Sequence, residues 1–162
     1  MRRPTLLSGS CLLFLLALAL VLHEPATGAT SGVVVVANPS VPVNDLSFNE
    51  LRRIFLGERQ FWSSSLRISL VMRAPATPER EVLLKTVYEM SEAQLRQHWI
   101  GKIFRAEAAS APQMLYSNEE ILQAVAAIPG SISAVEAAHI PKGLKVIRID
   151  GHLAGEPGYR LH

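Results

Sequence analysis

Residues Val33–Ala37 read VVVVA, a run of β-branched and small apolar residues without polar alternation. A strand exposed on one face alternates polar and apolar side chains, so an unbroken run predicts a strand covered on both faces, as in a parallel sheet between helices. Asn38-Pro39 closes the run. The next residues, Ser40–Asp45, contain Pro42 and Asn44 and read as extended or turn-like.

Three helix starts of one design follow. Ser47 with Glu50 is a capping box, Leu46 and Leu51 have the spacing of a hydrophobic staple, and Phe48, Leu51, Ile54 and Phe55 form an apolar face that Gly57 terminates. Met90-Ser91-Glu92-Ala93-Gln94-Leu95 repeats the pattern and opens a helix with Leu95, His98, Trp99, Lys102 and Ile103 along one side. Tyr116–Ile121 shows it again, with Ile121, Leu122, Val125 and Ile128 as the inward face and Pro129-Gly130 as the stop. A fourth helix is expected from Thr77-Pro78-Glu79 to about Tyr88, with threonine as N-cap and proline in the first turn. Leu66–Met72, Ser131–Val135 and Leu144–Ile149 are the other strand candidates, the last at an edge or in a half-exposed position because it alternates apolar and basic residues. Val33–Ala37, the first helix and Leu66–Met72 together read as a βαβ unit with a right-handed crossover. Ala106–Pro112 reads as a frayed helix end or a surface loop.

Arg2 and Arg3, the apolar run Cys11–Leu22 and the small residues Thr27 and Ala29 have the order of a secretory signal peptide over residues 1–29. Cleavage before Thr30 leaves about 130 residues, enough for one domain that buries roughly two thirds of its unfolded surface. The expected organisation is a leader (1–29), a domain (30–155) and a flexible tail (156–162) introduced by Gly155, Pro157 and Gly158. Such a product is expected to be periplasmic and without a membrane span; the alternative is an uncleaved anchor. Cys11, the sole cysteine, leaves with the leader, so the exported chain has neither disulfides nor a thiolate site. A net charge of +2 over 162 residues argues against a nucleic-acid partner.

The chain carries no GxSxG, HExxH, GxxxxGKS/T or GxGxxG motif. His98, His139, His152 and His162 include no i, i+4 pair, so no metal or cofactor site is expected and the chain reads as a non-enzyme. The informative place is Arg73–Pro78, after a strand and before a helix. Ligands of open α/β sheets bind outside the carboxyl ends of strands, and a strand-end arginine can hold an oxyanion. Arg73 and Thr77 are the candidate ligand-binding residues; the alternative is that Thr77 only caps the helix while Arg73 pairs with Glu79.

The segment LSxxxLRxIFLG followed by Trp62, the strand ending in Arg73, and a helix closed by Pro129-Gly130 resemble the second lobe of the type 2 periplasmic phosphate-binding proteins of ABC transporters. They also resemble short, single-lobe exported proteins described as phosphate transporter substrate-binding proteins. The resemblance spans about Val33 to Ile149. It implies a three-layer α/β lobe, a mostly parallel sheet flanked by helices, and phosphate or another oxyanion as ligand. In that family the arginine is followed by a serine-glycine-threonine turn that helps hold phosphate. Thr77 falls at the serine, but Pro78 and Glu79 replace the glycine and threonine, removing an amide donor and adding a negative charge. Gly130–Val135 departs from the family's glycine-alanine-isoleucine-glycine-tyrosine run at Ser131, Ser133 and Ala134. Weak oxyanion binding is the resulting expectation. The competing one is an envelope interaction or scaffold domain that self-associates or docks on an envelope protein. Phe61 and Trp62 would be its anchors if exposed, although Trp62 reads as core.

Overall fold

The computed structural model describes residues 32–137 and 140–162. The expected leader, its cleavage site and Cys11 lie outside the described residues, as does His139. The elements, in order, are β1 (Val33–Ala37), β2 (Asp45–Leu46), α1 (Phe48–Phe55), β3 (Ser69–Arg73), α2 (Pro78–Val82) continued by a π-helical stretch (Leu83–Tyr88), α3 (Glu92–Phe104), β4 (Gln113–Leu115), α4 (Asn118–Ala127), β5 (Ser131–Glu136), β6 (Lys145–Val146) and β7 (Arg148–Ile149).

All three capping boxes form, at Ser47 with Glu50, Ser91 with Gln94 and Ser117 with Glu120. Each satisfies amide donors that the helix itself leaves unpaired, which fixes where the helix begins. Hydrogen bonding also holds the Glu50 carboxyl below its ordinary range, chiefly through the Ser47 hydroxyl and then the Ser47 amide.

The main sheet has the order β4-β3-β5-β1-β6, with β2 and β7 pairing separately. β3 is parallel to both β4 and β5, whereas β1 is antiparallel to β5 and to β6. Four strands therefore run one way and β1 alone runs against them. The expected βαβ crossover is corrected here: β5 lies between β1 and β3, and those two strands point in opposite directions. Burial on both faces made β1 look parallel, but that burial is the same for either strand direction.

β1 divides its side chains between two cores. Val33, Val35 and Ala37 join α1, the π-helical stretch and α3 in the larger cluster, while Val34 and Val36 meet Ile121 and Val125 of α4 on the other face. The result is helix, sheet, helix. The stretch expected as one edge strand at 144–149 is broken: Lys145–Val146 pairs with β1, and Arg148–Ile149 turns to β2.

The segment expected as a tail, residues 156–162, makes contacts with the domain. Tyr159 and Leu161 are buried, the Tyr159 hydroxyl donates to the Val33 carbonyl at 2.7 Å, and the Arg160 guanidinium lies 3.6 Å from the Phe48 ring centre. Burial pushes the Tyr159 hydroxyl pKa up. Two apolar anchors, a buried hydrogen bond and a cation–π contact dock this segment although its glycines and proline suggest freedom.

Candidate functional site

Arg73 ends β3, and the chain then turns through Ala74–Thr77, with Ala76 at φ +64°, into α2. A left-handed alanine is uncommon and marks a tight turn. Thr77 occupies the N-cap, but its hydroxyl makes no capping bond; it donates to the Ala74 carbonyl at 3.2 Å. With Pro78 next, the first turn lacks one amide donor.

Glu79 points back at the strand. Its Oε1 lies 3.4 Å from Arg73 Nε, and the two side chains are 5% and 14% exposed. The contact is ionic but poorly directed, leaving Arg73 Nε and Nη1 and Glu79 Oε2 buried without a hydrogen-bond partner. A carboxylate thus sits against the Arg73 guanidinium. The Arg73–Glu79 pair of the alternative reading is formed, whereas the Thr77 side-chain cap in that reading is not.

Arg80, one residue on, is buried and makes a two-pronged contact with Glu92 at 3.0 and 2.7 Å. This joins α2 to α3. The Arg80 hydrogen bond is the largest cause holding the Glu92 carboxyl below its ordinary range. Tyr88 donates its hydroxyl to Met72 Sδ at 3.2 Å beneath the pair, and burial pushes that hydroxyl's pKa up. Sequence reasoning missed the Arg80–Glu92 pair, because a contact twelve residues apart between two helices leaves no local pattern.

The two aromatic residues considered as anchors, Phe61 and Trp62, differ in burial. Trp62 is buried and its indole N–H donates to the Gly130 carbonyl at 2.8 Å. Phe61 is half exposed, under the Arg67 guanidinium. His98 is partly buried on α3, and its Nε2 contacts the Leu56 carbonyl at 2.9 Å. No group of three or more His, Cys, Asp and Glu side chains able to hold a metal occurs among the described residues.

The arrangement of sheet and helices matches known structures. A protein described as a phosphate ABC transporter substrate-binding protein with bound phosphate, from Clostridium perfringens, superposes with a TM-score of 0.61 at 16% identity, over 76% of this chain and 46% of that one. The chain has a periplasmic-binding-protein-like fold. An ABC-type phosphate transport receptor from Vibrio cholerae gives 0.60 at 16% identity, over 76% and 48% of the two chains. A phosphate-binding protein from Stenotrophomonas maltophilia gives 0.57 at 19%, over 76% and 40%. This periplasmic-binding-protein-like chain spans less than half the length of each of these three. No protein-family model matches it. No helix of the described residues is long and apolar enough to cross a membrane.

Proposed function

We propose that the chain is an exported, periplasmic lobe related to the binding proteins of phosphate ABC transporters, contacting phosphate or a similar oxyanion weakly through Arg73 and Thr77. The observation that carries this reading is Arg73 itself, a strand-end guanidinium whose buried Nε and Nη1 lack hydrogen-bond partners among the described residues. The fold it sits in is shared with a protein whose structure contains phosphate. Glu79 accounts for the weakness, since an arriving anion must displace a carboxylate that already neutralises Arg73.

Thermal melts with millimolar phosphate, sulfate or molybdate test it, because a ligand that binds only the folded state raises the midpoint. A small rise is expected for the wild type, a larger one for Glu79→Gln, and none for Arg73→Ala. If neither the wild type nor Glu79→Gln responds to any of the three anions, the binding role is rejected.

A second reading, an interaction domain docking on an envelope partner or on a second copy, is favoured by one face. Ile100, Ile103 and Phe104 of α3 are exposed, Phe104 to 90%, and Ile100 and Ile103 line one groove with the exposed Met114, while Lys102 of the same helix is buried. That inversion of apolar and charged residues leaves a face suited to protein contact.

A further inference from the structure

We propose that the cleft at the N-terminal ends of β3 and β4 binds a small anion carrying an apolar group, of the class of short aliphatic or aromatic carboxylates. The cleft lies between the 57–68 connection and the 105–112 connection, and Gln60 Nε2 donates to the Glu107 carbonyl across it. It begins beside Ser69, the first residue of β3, whereas Arg73 is the last. Five residues of strand separate the two places by about 13 Å.

Among the described residues, two arginines line the cleft and no carboxylate does. Both guanidinium groups are held by aromatic faces: Arg59 lies 5.4 Å from the Trp62 ring centre and Arg67 5.7 Å from that of Phe61. Arg59 commits Nε to the Phe61 carbonyl and Nη1 to Glu50, which leaves Nη2. Arg67 commits only Nη2, to Gln60 Oε1 at 3.4 Å. Planar donors already oriented by stacking lose little freedom when they bind a carboxylate.

The remainder of the wall decides the kind of anion. Ile54, Leu70, Val71 and Ile128 make it apolar, and Trp99, which also lines it, is 8% exposed with an indole N–H that lacks an acceptor. A bare phosphate would leave that apolar wall uncovered and would want more donors than the arginines supply. A carboxylate with a hydrocarbon body matches both parts. The volume, 270 Å³, equals that of about nine water molecules. It suits a ligand about the size of benzoate.

Titration calorimetry with benzoate, benzamide and phosphate, together with amide and indole ¹H–¹⁵N spectra, tests the proposal. Benzoate is expected to bind and to move the Trp99 indole resonance, assigned with Trp99→Phe. Benzamide, the uncharged analogue, and the Arg67→Gln variant are each expected to weaken binding about tenfold, the scale of one charge-assisted contact. Arg73→Ala is expected to leave benzoate binding unchanged, which separates this cleft from the oxyanion site at the other end of β3. Absence of benzoate binding, equal affinity for benzamide, dependence on Arg73, or a preference for phosphate that depends on Arg67 would each overturn it.

Discussion

Gly57 closes α1 at φ +69°, and a Cβ placed on it would lie 2.6 Å from Trp99 Cη2. Gly130, at φ +74°, is tighter: a Cβ there would lie 2.2 Å from the Arg67 carbonyl oxygen. Its own carbonyl accepts from the Trp62 indole and from the Ser69 amide. Both residues look in the sequence like simple helix stops. The structure adds that each is also where another element presses on the backbone, a fact no local pattern carries because Trp99 and Arg67 are distant in sequence. Gly57→Ala is expected to cost roughly 2–4 kcal/mol, combining left-handed strain with overpacking against a ring that cannot swing out. Gly130→Ala is expected to cost more, since the obstacle is backbone. Urea denaturation measures both, and an unchanged midpoint for Gly57→Ala would refute the account.

Helix starts were legible because a capping box is a four-residue chemical statement, and Ser47, Ser91 and Ser117 each make it within reach of their own chain. Strand direction was not, because β1 looks the same from either end. β2 and β4 escaped for a different reason: two and three residues are too few to show a period. At the candidate site, Arg73 with Glu79 could be named from spacing, whereas Arg80 with Glu92 and the arginines of the cleft depend on which loops and helices meet. The Arg80–Glu92 contact makes a prediction for the α2–α3 junction. Glu92 has a lowered pKa when folded, so its contribution is present above the ordinary carboxylate range and is lost as pH falls through the folded value. Glu92→Gln is expected to lower stability by about 2 kcal/mol at neutral pH, the scale of hydrogen bonds to a charged group, with the difference from wild type shrinking in acid. Parallel denaturation profiles at every pH would contradict this.

At the scale of the whole molecule, the exposed face of α3 makes a prediction about mass. Size-exclusion chromatography with light scattering is expected to show self-association of the wild type that Ile103→Glu and Phe104→Glu reduce. A strictly monomeric wild type that also captures no envelope protein would remove the interaction reading. The placement of β1 has a consequence for how the chain reaches its fold. Both of its partners, β5 and β6, lie about a hundred residues later, and the tail that covers Val33 comes later still. A chain emerging from the ribosome therefore holds VVVVA without a ladder partner until residues 131–146 are out. Such distant pairing slows folding, and an unpaired apolar segment of this kind can pair with another chain in the meantime. The vulnerable period for aggregation is thus the time needed to deliver residues 131–146, so conditions that slow synthesis between β1 and those residues should reduce yield more than conditions that slow synthesis before β1.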